Sequence, residues 1–191
     1  MTQKNIILID NYDSFTFNIV HYLEQLNANV TVVKNDEVVV SEVENYDVII
    51  LSPGAGLPSK AGKMMQVIER YHTQKPIFGI CLGMQAIAEF FGGKLYNQAV
   101  VKHGVSEWID VTETCKLYTG LEKQITVGLY HSWAASLDEN EVLLPTSFSK
   151  SKVLMSLEHK HYPIAGVQYH PESIMTKNGL EILGNFLKYY H

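Results

Sequence analysis

The sequence predicts an α/β fold with a mostly parallel central sheet, helices on both of its faces, and a smaller antiparallel sheet. Through residue 93, short apolar runs alternate with helical patterns, and the runs are apolar without interruption. Uninterrupted apolar strands are typical of parallel sheets that are covered on both faces. From residue 94 to about 166, short alternating stretches replace the helical patterns, which predicts antiparallel strands.

The elements follow one another in a regular order. Four buried strands are predicted, at residues 6–9, 30–33, 48–51 and 76–80. Apolar residues at helical spacing predict helices at residues 15–26, 64–71, 82–91 and about 172–190. Gly92 and Gly93 follow the third helix and match a glycine C-terminal stop. Since no internal repeat, low-complexity stretch or linker interrupts the chain, residues 1–191 are predicted to form a single domain.

Charge and composition exclude several classes of function. Lysine and arginine number 15 against 20 acidic residues, for a net charge of −5, which argues against nucleic acid as a partner. No apolar run approaches ~18 residues, so the sequence predicts no membrane segment. The chain has two cysteines, which suits a reducing compartment better than a disulfide framework, and we expect a cytoplasmic protein.

Cys81 lies in the most informative segment, Gly79-Ile80-Cys81-Leu82-Gly83, between a predicted strand and a predicted helix. This is the spacing of a nucleophile elbow, with cysteine in place of serine. The following helix N-terminus favours a thiolate, which is the attacking form of cysteine. The Leu82 N–H lies where the oxyanion of an attacked carbonyl would develop. The alternative, a small buried core residue, is the usual fate of a free cysteine and is our interpretation of Cys115.

A cysteine nucleophile needs a base, and His170 is the best candidate among eight histidines. It follows a predicted strand at residues 164–168, and Glu172, two residues on, could accept a hydrogen bond from its second ring nitrogen. The alternative is a solvated histidine near a helix start, with Glu172 complementing the helix dipole. The pairing with the Cys81 elbow favours a Cys–His–Glu triad.

Other site chemistries find less support. No metal site is predicted, because Cys-x-x-Cys and His-Glu-x-x-His patterns are absent. The glycine loop at Gly54 and Gly56 lacks the Gly-Lys-Ser/Thr ending of a phosphate loop. Its glycines would instead let a ligand approach the backbone closely and offer a second oxyanion donor.

Several of these segments together resemble the class I (triad) glutamine amidotransferases. The motifs are residues 79–85, 169–173 and 52–56, supported by Lys102-His103-Gly104 and Tyr130-His131-Ser132. The start at residues 10–18, Asp-Asn-Tyr-Asp-Ser-Phe-Thr-Phe-Asn, is similar to the glutaminase subunits of anthranilate synthase and aminodeoxychorismate synthase.

The resemblance implies a reaction and a set of roles. Cys81 would attack the side-chain amide of glutamine, His170 would move the proton, and Glu172 would orient His170. Backbone N–H groups of Gly54 and Leu82 would form the oxyanion hole. The residues expected to bind glutamine are Gly54, Ala55, Gly56, Gln85, Ser132 and Trp133. Ammonia would pass to a chorismate-binding synthase large subunit. No cofactor is expected in this chain, and magnesium, if needed, would belong to the partner.

The sequence departs from the family pattern at Ala55, Met84 and Trp133, none of which removes a reacting group. Anthranilate synthase is the favoured assignment, with aminodeoxychorismate synthase, or service to both, as the alternative. A stand-alone γ-glutamyl cysteine hydrolase would leave residues 11–18 unexplained. A non-enzymatic regulator on the same fold would be expected to have lost a member of the triad.

Overall fold

The computed structural model describes residues 3–112, 114–138 and 140–191, with Val100 described by its backbone alone. Four α-helices lie in this part of the chain: α1 Thr16–Gln25, α2 Met64–Tyr71, α3 Leu82–Phe90 and α4 Gly179–Tyr189. The strands are β1 Asn5–Asn11, β2 Asn29–Lys34, β3 Val48–Gly54, β4 Ile77–Ile80, β5 Lys94–Val111, β6 Gln124–Ser136, β7 Leu143–Ser149, β8 Leu154–His159 and β9 Ile164–Val167. No helix in the described ranges is both long and apolar enough to cross a membrane.

The nine described strands form one sheet in the order β2-β1-β3-β4-β9-β8-β7-β5-β6. Neighbouring strands run parallel from β2 to β9 and antiparallel from β9 to β6. The predicted α/β class and its parallel strands are therefore confirmed. The antiparallel strands expected after residue 93 are also present, but they do not form a smaller sheet of their own. Because β9 pairs with both β4 and β8, the two halves form one mixed sheet in which four pairings are parallel and four are antiparallel.

The two faces of the sheet carry separate apolar cores. Alternate residues of β1 point to opposite faces, so Ile6 and Leu8 pack with α1 and α4, while Ile7 and Ile9 pack with α2 and α3. All four of these β1 side chains are buried. Helices therefore cover both faces, which explains the unbroken apolar runs in the sequence.

The chain differs from the prediction before the last helix. That helix was expected from about residue 172, but α4 begins at Gly179. The Thr176 hydroxyl donates to the His170 carbonyl at 2.6 Å and accepts from the Gly128 N–H at 2.9 Å. Because these bonds tie the intervening residues to β6, residues 171–178 form a turn beside the sheet rather than a helical start. Whether the whole chain is one domain stays a prediction.

Candidate active site

The carboxyl ends of the parallel strands bring the predicted site residues together. β3 ends at Gly54, β4 is followed by Cys81, and β9 is followed by Gln168 and then His170. Since β3, β4 and β9 are neighbours and parallel, these ends lie at one edge of the sheet. Ligand sites of α/β sheets commonly lie at this edge.

The backbone turns sharply at Cys81. Cys81 has φ 52° and ψ −102°, a conformation that side-chain-bearing residues rarely adopt. Its N–H donates to the Val167 carbonyl at 2.8 Å, which fixes the turn to β9. The two glycines of the elbow are required by close packing: a Cβ on Gly79 would lie 2.4 Å from the Gly83 carbonyl carbon, and a Cβ on Gly83 would lie 2.4 Å from the Leu51 oxygen.

His170 is held by Glu172. Its Nδ1 lies 2.7 Å from Glu172 Oε1, and both side chains are almost completely buried. The other ring nitrogen, Nε2, is buried and has no hydrogen-bond partner in the described part of the chain. Burial by itself lowers the pKa of His170, but the interactions with Cys81 and Glu172 outweigh it and raise that pKa above its ordinary value. The ring can therefore hold a proton that the Cys81 thiol gives up.

A cavity of about 410 Å³ opens over these groups. It is lined by Asp13, Ser14, Phe15, Pro53, Gly54, Ala55, Cys81, His103, Tyr130 and His170. Phe15 and Tyr130 contact the His170 ring edge-on, at ring-centre distances of 6.0 and 5.0 Å. The cavity therefore combines a nucleophile and a base with aromatic walls.

The two proposed oxyanion donors are neighbours. A Cβ built on Gly54 would lie 3.0 Å from Leu82 Cδ2 and 2.6 Å from the Asn11 Cβ, so only glycine fits at this position. Leu82 is the first residue of α3, and the first N–H groups of a helix have no partner within that helix.

Some of the residues expected to bind glutamine line the cavity, and others do not. Gly54 and Ala55 line the cavity, and Gln85 is buried beside it, donating through Nε2 to the Trp133 carbonyl at 3.0 Å. Ser132 precedes Trp133 on β6 but is not among the lining residues. Gly56 is also absent from that lining, and its φ of 85° places it in a loop beyond β3.

Cys115 does not line the cavity, and its backbone is extended, with φ −76° and ψ 125°. Its thiol is buried, with Sγ 3.6 Å from Glu158 Oε2. Burial, followed by the charge of Glu158, raises the pKa of this thiol to about 11. A thiol that stays protonated at neutral pH is a poor nucleophile, in accord with a structural role.

Sequence reasoning did not single out Gln168, Phe15 or Asp13 as site residues. Gln168 Nε2 lies 3.5 Å from Cys81 Sγ, and Gln168 is fully buried. Its place in the sequence could have indicated it. Gln168 directly follows the strand that leads to His170, and the carboxyl ends of neighbouring parallel strands meet at one edge of a sheet. Searching the described residues for groups of three or more His, Cys, Asp or Glu side chains that could hold a metal finds none.

Comparison with known proteins adds an independent observation. Residues 7–189 match the family described as glutamine amidotransferase class-I. Anthranilate synthase component 2 of Pseudomonas aeruginosa is 41% identical over 96% of this chain and 94% of its own length. Aminodeoxychorismate synthase component 2 of Escherichia coli is 38% identical over 95% of this chain and 98% of its own.

Two further matches extend the comparison. Aminodeoxychorismate/anthranilate synthase component 2 of Bacillus subtilis is 38% identical over 97% of this chain and 96% of its own length. Among solved structures, a Thermoplasma acidophilum protein assigned to GMP synthase superimposes with a TM-score of 0.88 at 26% identity. That superposition covers 98% of this chain and 94% of the other.

Proposed function

Because the chain belongs to the class-I glutamine amidotransferase family, we propose that it is the glutaminase subunit of an anthranilate synthase. It hydrolyses glutamine and delivers the ammonia to a separate chorismate-binding subunit. The observation that carries this proposal is the shared cavity of Cys81 and His170, with Glu172 bonded behind the ring. Full-length relatives named as component 2 of this synthase support the choice of reaction.

In the proposed reaction Cys81 is the nucleophile, His170 the general acid and base, and Glu172 the residue that orients His170. The Cys81 sulfur bonds to the side-chain amide carbon of glutamine, and the C–N bond breaks. The thiol proton passes to His170 Nε2 and then to the departing ammonia. Water, deprotonated by His170, attacks the γ-glutamyl thioester and the C–S bond breaks. His170 returns the proton to the Cys81 sulfur, and glutamate is released. The raised pKa of His170 supports this assignment, because it favours the state in which the ring has taken the proton of the Cys81 thiol.

The negative oxygen of the tetrahedral intermediate is assigned to the backbone N–H groups of Gly54 and Leu82. Losing one such donor typically lowers the rate by about 100- to 1000-fold. For the glutamine substrate we propose contacts with Gly54, Ala55, Gly56, Gln85, Ser132 and Trp133. The buried hydrogen bond from Gln85 to the Trp133 carbonyl supports a role for Gln85 in binding glutamine, since it fixes the side chain beside Cys81.

We propose that the partner subunit docks around the mouth of the cavity. Exposed apolar side chains lie close in sequence to its lining residues: Tyr12, Phe17, Val101, Val105 and Ile174. Exposed apolar patches are typical of protein interfaces. Docking there would cover the cavity and shelter ammonia, which is mostly protonated and unreactive in neutral water. No cofactor is expected in this chain, any magnesium would bind the partner, and both subunits are expected in the cytoplasm.

The main alternative product is aminodeoxychorismate. The E. coli relative carries that name, and the B. subtilis relative carries both names, at the same 38% identity. One glutaminase subunit could therefore serve both synthases. A stand-alone γ-glutamyl hydrolase is the third possibility and would be fully active without a partner.

The test mixes the purified chain with each of the two chorismate-binding subunits from the same organism. Chorismate is supplied with either glutamine or ammonium, and each product is quantified by chromatography. We expect glutamine-dependent anthranilate with the first subunit. If that subunit forms anthranilate from ammonium but not from glutamine with this chain, the anthranilate assignment is wrong. Aminodeoxychorismate from glutamine with the second subunit would then establish the alternative.

A further inference from the structure

We propose that Gln168 is a positioning residue that holds the Cys81 sulfur through a side-chain N–H, an inference that rests on the proposed nucleophilic role of Cys81. Gln168 Nε2 lies 3.5 Å from Cys81 Sγ, which is within hydrogen-bond range for sulfur. The residue is fully buried, so solvent does not compete for this contact.

The backbone of Gln168 is fixed on both sides of the contact. Its N–H donates to the Met155 carbonyl at 2.8 Å, and the preceding residue, Val167, accepts the Cys81 N–H at 2.8 Å. The amide of Gln168 and the sulfur of Cys81 are therefore attached to two strands, β9 and β4, that pair directly. The pairing of these strands fixes the distance between the two backbones from which the amide and the sulfur extend.

The orientation of the Gln168 amide follows from Gln85. Gln85 Nε2 donates to Gln168 Oε1 at 3.0 Å and also to the Trp133 carbonyl at 3.0 Å. If the Gln168 amide were turned over, its NH₂ group would face the NH₂ group of Gln85, and its oxygen would face the sulfur. The first contact would be repulsive, and the second would be repulsive once the sulfur is a thiolate, so the bonds of Gln85 favour the orientation in which a donor faces the sulfur.

An N–H donor stabilises a negatively charged sulfur more than a neutral thiol, because hydrogen bonds to ions are about twice as strong as neutral ones. The same chain of contacts connects Gln85, a proposed glutamine-binding residue, to the nucleophile. The other titratable groups of the site are His170 with Glu172 behind it, His131, which interacts with His170, and Asp13, His103 and Tyr130 along the cavity. All of these remain in a variant that changes only Gln168.

The test substitutes Gln168→Met, which keeps the length of the side chain and removes both amide groups. The rate of Cys81 alkylation by iodoacetamide is followed from pH 5 to pH 9, with peptide mass spectrometry to separate Cys81 from Cys115. We expect the half-maximal rate to move to higher pH by about one unit, a tenfold loss of reactive sulfur below the midpoint. With glutamine, kcat should fall by about tenfold, while KM should stay within about twofold of the wild-type value.

A second variant keeps the proposal testable if Gln168→Met does not fold. Gln168→Glu retains the oxygen that accepts from Gln85 but places an acceptor next to the sulfur. Its alkylation profile should move further to high pH than that of Gln168→Met. The matched control is Gln66→Met, on the exposed face of α2, which should leave the profile unchanged.

Alkylation profiles of folded Gln168 variants that coincide with wild type would overturn the proposal. This outcome is separate from failure of the proposed function, because alkylation needs neither glutamine nor a partner. A wild-type chain that alkylates normally at Cys81 but supports no glutamine-dependent synthesis would refute the function. The alkylation profiles of the Gln168 variants would still show whether Gln168 holds the Cys81 sulfur.

Discussion

Glu172 places a carboxylate in the interior of the protein, against the Nδ1 of His170 and with no exposed side-chain surface. An ionised carboxylate is costly to bury unless a cation or several donors compensate for the lost water. The only hydrogen bond described for its side chain is the one to His170, and its Oε2 is without a partner in the described ranges. Because the pKa of His170 is raised, the protonated ring is the group that can supply the compensating charge.

This pair predicts a pH-dependent stability. Because the pKa of folded His170 is raised above 6.5, the pair stabilises the folded state fully below that pH and loses its contribution as the pH rises through the raised value. Glu172→Gln should lower the free energy of unfolding by about 2 kcal/mol at pH 6 and by less at pH 9. Urea unfolding at the two pH values measures the difference.

The control for this experiment is Glu181→Gln, which removes an exposed carboxylate from the first turn of α4. Its effect should be small at both pH values, since exposed charges contribute little to stability. An effect of Glu172→Gln that is equal at both pH values, or larger at pH 9, would contradict the charged pair.

At the scale of elements, the apolar runs predicted the parallel strands well because β1, β3 and β4 are buried on both faces. The start of α4 was predicted too early because residues 171–178 contain no strong helix breaker after Pro171. Bonds from Thr176 to β6 and to His170 hold that segment in a turn. Such contacts between distant segments leave no local pattern in a sequence.

The residues of the candidate site were likewise predicted only in part. The sequence predicts Cys81 and His170 because each follows a strand and carries a reactive group, and Glu172 because of its spacing from His170. Gln168 was missed because a glutamine carries no reactive group, and its contact with the sulfur depends on how β4 and β9 pair. The single mixed sheet was missed for a related reason, since pairing partners are not encoded in apolar periodicity.

The close packing at the elbow between β4 and α3 predicts that alanine substitutions of two helix glycines, Gly83 and Gly184, have different effects on stability. A Cβ on Gly83 would lie 2.4 Å from the Leu51 carbonyl oxygen, whereas a Cβ on Gly184 in α4 would meet only the end of the Leu26 side chain at 3.2 Å. Gly83→Ala should therefore cost about 1–3 kcal/mol of stability and slow glutamine hydrolysis by displacing α3.

Gly184→Ala is the matched control and should be neutral, or stabilising by up to about 1 kcal/mol from the gain in helix propensity. Thermal unfolding and glutaminase assays on both variants test the comparison. Equal effects of the two substitutions would show that close packing of α3 on β3 does not hold the elbow.

At the scale of the whole molecule, each exposed apolar side chain proposed for the docking surface lies within a few residues in sequence of a residue that lines the cavity. Ile174 is 94% exposed and follows Glu172 by two residues. Its exposure means that the folded protein gains little from this side chain. We therefore assign this side chain to the proposed docking surface for the partner.

Ile174→Ser should weaken binding to the chorismate-binding subunit by roughly tenfold, about 1.4 kcal/mol, without changing the melting temperature of the isolated chain. Trp108→Ser is the comparison and should leave the affinity unchanged, because Trp108 is half-exposed but lines a different cavity with Leu121 and Lys177. Binding is measured by calorimetry. Equal affinity of Ile174→Ser and wild type would remove Ile174 from the docking surface.

The decisive experiment for the proposed function is a Cys81→Ala variant in complex with the chorismate-binding subunit. We expect glutamine-dependent anthranilate formation to disappear, because no sulfur remains to attack the amide. Synthesis from ammonium should continue at the wild-type rate, because the partner performs that step. Glutamine-dependent synthesis that survives the substitution would contradict Cys81 as the nucleophile and, with it, the proposed glutaminase reaction.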